Sequence, residues 1–286
     1  MLWLVIIVLT FSVCLCLFAK HSGLKVRGTI ERQKSWILTT IFLSLFLAGW
    51  WFATSGAKFE DRLLSPLILP SPMEVLYAFP QLHLQQGLLR SALLSFWRVT
   101  AGFTIASVLA ITLGVCMASF ASVKAFFKPL ETVSAYVPII VFIPLTLAWW
   151  GLTETQKIGF LSIACFVAML PLILRAIESV SDAYLDVAKT KGASQWDLVR
   201  HVLVPVASAD IWDCMRGIYG VGWGWIILAE VVNARSGLGY LMNQSQRRSN
   251  IAGVFAIIIV IVFIAALSDY LWQASGNMLF PYRKKK

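Results

Sequence analysis

The residues of this chain that could do chemistry are few and mostly scattered. Three histidines (His21, His83, His201) and five cysteines (Cys14, Cys16, Cys116, Cys165, Cys214) share no C-x-x-C, H-E-x-x-H or other metal-ligand spacing. Cys14 and Cys16 stand two apart, so a helix turns them to different faces. All five read as small apolar packing residues. No G-x-x-x-x-G-K-S/T phosphate loop occurs, so ATP hydrolysis is not expected from this chain. The sequence points to no catalytic residue, no metal and no cofactor. Two stretches stand out instead. DCMRGIYGVGWGWIILAE, residues 213–230, sets Asp213, Arg216 and Glu230 in a glycine-rich apolar run. KTKGASQWDLVRHVLVP, residues 189–205, is charged and sharply punctuated where its surroundings are apolar.

The solvent of this chain must be lipid. Of 286 residues 59% are hydrophobic and only 13% charged, against about 25% charged in an ordinary soluble domain. The net charge of +10 is spread in short basic clusters between apolar runs. That is the pattern of membrane orientation, not of a nucleic-acid surface. Uncharged runs occur at 2–19, 36–57, 99–123, 132–153, 158–174 and 251–268, and a shorter one at 217–229 extends back across Arg216 and Asp213. About 20 apolar residues cross a bilayer as helix, which gives seven candidate helices. Continuous rather than alternating runs exclude a β-barrel. The first run has no basic residue before it and five after it, from Lys20 to Lys34. It is read as an uncleaved anchor rather than a signal peptide. Segments 20–35, 119–129, 175–210 and 280–286 are then cytoplasmic, with fifteen Lys and Arg against eight outside. The longest outer segment, 58–90, is too short for a core of its own.

Two segments carry helix punctuation. In LPSPMEV, residues 69–75, Ser71 can cap a helix, Pro72 suits its first position and Glu74 completes a capping box. Val75, Leu76, Phe79 and Leu82 follow at near-helical spacing, predicting a short amphipathic helix at the outer surface. The inner segment is built alike. Residues 182–191 form a helix, Gly192 stops it, and Ser194 restarts one with Asp197 answering the cap. Trp196, Val199, Val202 and Leu203 continue at helical spacing to Pro205. The expected unit is helix, glycine turn, helix, between two membrane crossings. A solvated loop is the plain alternative. Against it stands Trp196, a large aromatic of the kind that anchors interfaces.

DVAKTKGASQWDLVRHVLVP, residues 186–205, resembles the EAA loop of permease subunits in binding-protein-dependent ABC importers. Asp186, Val187 and Ala188 stand at its start, Gly192 at its glycine, and Val204 with Pro205 at its end. LPSPMEV, SFWRVTAGF (95–103), YVPIIVFIPLTLAWWGL (136–152), RAIESVSDAYLDVAKTKGAS (175–194) and AEVVNARSGLGYLM (229–242) are similar to the nitrate/sulfonate/taurine branch, in the right order over 66–270. Three features depart from it. Asp186 replaces Glu, Lys191 stands where an apolar residue is usual, and the span before residue 20 is additional to six helices.

The resemblance implies an all-α polytopic membrane protein of the bacterial inner membrane, with a type I importer-like six-helix core. Residues 1–35 would be an extra N-terminal transmembrane helix and basic linker. Residues 36–286 would be the permease domain, with its coupling loop at 182–205 and its C-terminus in the cytoplasm. Two ATPase subunits, a second permease copy forming a homodimer, and a periplasmic or lipid-anchored binding protein would be its partners. Asp186, Ala188, Gly192, Ala193, Ser194 and Trp196 would form the coupling surface. ATP binding would move that rigid element and rock the path from inward-open to outward-open. The solute implied is a small anion such as sulfonate, nitrate or bicarbonate.

Arg216, Gly220, Trp223 and Glu230 are the candidate path residues. Gly217, Gly220, Gly222 and Gly224 allow close helix approach, either for a dimer interface and path or for ordinary packing. Arg216 either pairs with Asp213 three residues before it or draws an anionic solute, since an intramembrane charge is costly unless used. Glu230 either shapes the outer mouth or sits among headgroups. Pro138, Pro144 and Pro171 invite kinks within spans. The main rival is an ATP-independent channel or secondary transporter, which would favour a carboxylate at mid-span.

Overall fold

A computed structural model of the protein describes residues 30–56 and 62–282. The candidate anchor at 2–19 and the basic tail at 283–286 lie outside the described residues. The chain divides into two units, Met1–Ser55 and Gly56–Lys286. In the first, α1 (Arg32–Thr54) is 23 residues long, about 35 Å of helix. Its Thr39 and Thr40 hydroxyls donate back to the Ser35 and Trp36 carbonyls at 3.0 and 2.9 Å, which leaves them compatible with an apolar surround.

The second unit opens with α2 (Pro72–Gln86). The Ser71–Glu74 capping box forms, with Pro72 in the first turn and Gly87 at φ +65° ending the helix. The buried stripe is Val75, Ala78 and Leu82, while Leu76 is exposed. This corrects the predicted apolar face by one position, as the i, i+3, i+7 register requires. Helix α3 (Leu88–Ser119) runs 32 residues. After Phe120 comes α4 (Ala121–Tyr136), then a single 3-10 turn and α5 (Phe142–Trp150). The apolar run at 132–153 is therefore no single straight span. The chain bends by 91° between Ala121–Ser134 and Ile139–Trp150, where Pro138 can supply no backbone N–H.

Helix α6 (Glu154–Glu178) leads to α7 (Asp182–Thr190) and the short α8 (Gln195–Leu198). A π turn at Val199–Leu203 then joins α9 (Val204–Asn233). Helices α10 (Leu238–Arg247) and α11 (Ile251–Leu279) complete the order. Among the described residues α1, α3, α6 and α11 are long and apolar enough to cross a membrane, with a fifth span if the bent pair counts as one.

The core is built on α3 and α6. Gly102, Ala106, Ala110 and Gly114 recur every four residues along α3, so one face is nearly side-chain-free. Ala106 and Ala110 are fully buried. A Cβ added at Gly102 would lie 2.9 Å from the Leu161 Cβ, and one at Gly114 would lie 2.8 Å from the Ile173 Cγ2. Lipid offers no hydrophobic drive between helices, so this close approach supplies the dispersion energy that holds them. Met117, Leu170 and Leu174 close one end of the seam against Leu113, Phe127 and Leu130. Phe160 packs with Ile143 and Ala229 at the other, which brings α5 and α9 onto α6. Replacing Gly102 by Val should force α3 off α6, at a cost of about 1–3 kcal/mol. A fall in the thermal transition of the purified protein in detergent checks this.

Candidate functional site: a stiff connector and the helix it continues into

The connector between α6 and α9 is held by local hydrogen bonds. Ser181 caps α7 through the Ala183 amide. At its end Gly192 takes φ +82°, a left-handed conformation that glycine adopts without strain. The Ala193 amide then donates to the Ala188 carbonyl at 3.1 Å, and Gly192 to Lys189 at 2.9 Å. These bonds close the helix end. Ser194 starts α8. Its amide donates to Asp197 at 3.0 Å and its hydroxyl accepts from the Asp197 amide at 3.3 Å. Asp186 forms a surface pair with Lys189 at 3.1 Å.

No break separates this connector from α9. Helix α8, the π turn and α9 run on end to end, with Pro205 in the first turn of α9. Leu198 and Val199 are buried. Trp196 is 68% exposed, with its ring edge against Phe120 at 5.7 Å. Tyr184 and Val187 on α7 are exposed as well. The connector thus shows three large apolar side chains on a capped frame. A Lys124–Glu178 ion pair ties α4 to the end of α6, where the connector begins.

Within α9 the candidate path residues separate into two groups. Arg216 pairs with Asp269 of α11, not with Asp213 alone, through bonds of 2.5 and 2.7 Å from Nε and Nη2. A Cβ at Gly217, Gly220 or Gly224 would meet nothing within 4 Å, so this face is open. Trp223 lies on the buried side, its ring 6.2 Å from Phe96.

Glu230 is the larger correction. It sits neither in headgroups nor at an open mouth but is fully buried. Arg98 donates to it from Nη1 at 2.6 Å, Ser95 from its hydroxyl at 2.8 Å, and Gly239 from its amide at 2.9 Å. Arg98, also buried, donates to both Glu154 oxygens at 2.6 and 2.7 Å and to the Ser236 carbonyl at 2.8 Å. Lys157 adds a cation 3.6 Å from Glu154. One neutral cluster therefore ties α3, α6, α9 and the loop before α10. Gly237 stands at φ +115°, where any Cβ would fall 2.4 Å from the Glu230 carboxyl. Arg98 is one of the eight Lys and Arg of the outer segments in the charge count, and the structure shows it buried. The signal that could have found it is that SFWR and AEVVNARSGLG each place a charge inside an apolar run.

Removing Glu230 as Ala should cost about 3–5 kcal/mol, because it strands the buried Arg98 charge. Glu154→Ala removes an exposed carboxylate but leaves two buried Arg98 N–H donors unsatisfied while Glu230 still pairs the charge, and should cost less, about 1–3 kcal/mol. Thermal unfolding of the two purified variants compares them. The connector carries a pH dependence. The Ser194 hydroxyl and amide hold the Asp197 carboxyl below the usual range. A depressed carboxyl stabilises its cap above the unfolded value, about 3.9, and that stability is lost as pH falls through the folded one. Intrinsic-rate-corrected amide exchange over 195–198 should rise in that acidic window, and Asp197→Asn should flatten the profile.

The chain is similar to known proteins in sequence and in fold. Residues 86–275 match the family model described as binding-protein-dependent transport system inner membrane component. The taurine transport system permease protein TauC of Escherichia coli (strain K12) is 29% identical over 264 residues, covering 91% of this chain and 94% of that protein. The putative aliphatic sulfonates transport permease protein SsuC of Bacillus subtilis (strain 168) is 24% identical over 92% of this chain and 94% of that one. In three dimensions the chain is similar to the inward-facing MetNI methionine ABC transporter, with a TM-score of 0.57 at 17% identity, over 70% of this chain and 98% of that one. A bacterial alginate ABC transporter gives 0.54 at 16% identity, over 86% of this chain and 96% of its own. The chain belongs to the family of binding-protein-dependent transport system inner membrane components, the multi-pass permease subunits of ABC importers.

Proposed function

We propose that the chain forms the translocation path of an ATP-driven importer for a small solute handed over by an external binding protein. Two copies make the path as a homodimer, and two ATPase subunits grip residues 182–205 in the cytoplasm. Residues 36–286 are the permease domain, its C-terminus cytoplasmic, and residues 1–35 are an additional N-terminal transmembrane helix with a basic linker. The solute is a small anion such as a sulfonate, nitrate or bicarbonate, in keeping with the solutes named for the taurine and sulfonate permeases. Asp186, Ala188, Gly192, Ala193, Ser194 and Trp196 form the coupling surface.

The observation that carries this reading is the mechanical continuity of the connector. A partner that moves Trp196 moves a capped helix, and that helix runs on into α9. A floppy loop would absorb the motion instead. Exposed Tyr184, Val187 and Trp196 supply the apolar anchors that a docking groove needs. Trp196→Glu should leave the protein inserted but reduce ATPase co-purification and ATP-dependent uptake at least about tenfold, a loss of about 1.4 kcal/mol of docking energy. Undiminished co-purification and uptake in that variant would overturn the assignment.

A further inference from the structure

Phe120 sits at the corner between α3 and α4 and belongs to neither helix. Its amide donates to the Cys116 carbonyl at 3.1 Å, and its carbonyl accepts from the Lys124 amide at 3.0 Å. The first bond closes α3 and the second opens α4. The residues on both sides of it are locked into the core. Met117 is buried with Leu170 and Leu174 of α6, and Val123 and Phe127 of α4 pack against the same cluster. The corner is therefore a fixed point from which the Phe120 ring projects.

Trp196 is held less firmly. Helix α8 has only four residues, Gln195–Leu198, and a single turn is marginal without tertiary contacts. The capping box fixes its backbone through Ser194 and Asp197, but not the indole. Leu198 and Val199 are buried, and the π turn that follows lies against α3, which seats the turn. The indole itself stays largely exposed. Among the described residues Phe120 is its one ring partner, with 5.7 Å between centroids and 66° between planes. An edge-to-face pair of this kind favours one orientation of the indole. A docking anchor that is already oriented loses less freedom when a partner closes on it.

We propose that Phe120 is a positioning residue for docking. Its ring holds Trp196 in the orientation that the ATPase meets, so the grip on residues 182–205 is set by a side chain outside that connector. Phe120 acts through Trp196 alone, and the corner itself does not dock. The proposal rests on the importer reading and adds a residue to it.

The test immobilises the purified permease with the ATPase it retains and follows ATPase dissociation. Phe120→Ala should speed dissociation about threefold to tenfold, and Phe120→Tyr, which keeps the ring, should restore the unaltered rate. In a Trp196→Ala background, Phe120→Ala should change the rate by less than about twofold, because the side chain it acts through is gone. Lys124→Ala breaks the ion pair to Glu178 at the same corner and should leave the rate within about twofold, since that pair is partly open to solvent. In the permease alone, amide exchange over 195–198 should rise about threefold in Phe120→Ala and return to the unaltered value in Phe120→Tyr. Where Phe120→Ala fails to fold, Phe120→Leu, which keeps the bulk and loses the ring, takes its place. An unaltered dissociation rate in Phe120→Ala overturns the proposal. So does an equal acceleration in the Trp196→Ala background or in Lys124→Ala, and so does unchanged exchange. A chain that retains no ATPase fails the importer reading, while the exchange measurement still decides whether Phe120 holds α8.

Discussion

The second unit depends on one buried guanidinium. Arg98 sits inside an apolar helix, where an isolated charge would be prohibitively costly. Its five N–H donors converge on Glu154, Glu230 and Ser236. Those partners lie on α6, on α9 and on the loop before α10. The charge can therefore be buried only if these elements are in place together. The requirement also runs in reverse, since Glu230 is fully buried and takes its hydrogen bonds from Ser95, Arg98 and Gly239. The cluster specifies an arrangement more than it adds stability, because desolvation offsets much of the attraction between buried charges.

From that anchor the rest of the unit divides by mechanical role. The small-residue face of α3 seats α6 in close van der Waals contact along its length. Helix α9 is fixed at one end by Glu230 and joined at the other to the connector without a break. The Arg216–Asp269 pair and the Trp212–Trp272 stack link it to α11 between these ends. The middle of α9 lies between these attachments. The open glycine face and the only charges of mid-α9 lie at that mid-length.

Much of the local structure was legible in the sequence. The Ser71–Glu74 and Ser194–Asp197 capping boxes, the Gly192 stop and the apolar runs all follow from contacts within four residues or from a helical repeat. Such signals need no knowledge of neighbours, and the structure forms both capping boxes and the Gly192 stop. Prolines were legible only as breaks. Pro138 marks a real bend, so a run that looked like one span became two helices. Composition could show that 132–153 is apolar, but not whether its backbone stays straight.

What the sequence determined by itself was the apolar runs, the helix caps and the glycine stop in the connector. What only the tertiary structure decided was the partner of each charge. Arg98 meets Glu230 across 132 positions and Arg216 meets Asp269 across 53. Asp213, three residues away, looked like the natural partner of Arg216 because helical spacing is all that a sequence displays. The reason is physical. Hydrogen-bonded turns are fixed by the backbone's own short reach, whereas a buried charge is neutralised by whichever opposite charge the packing of separate helices brings within about 3 Å.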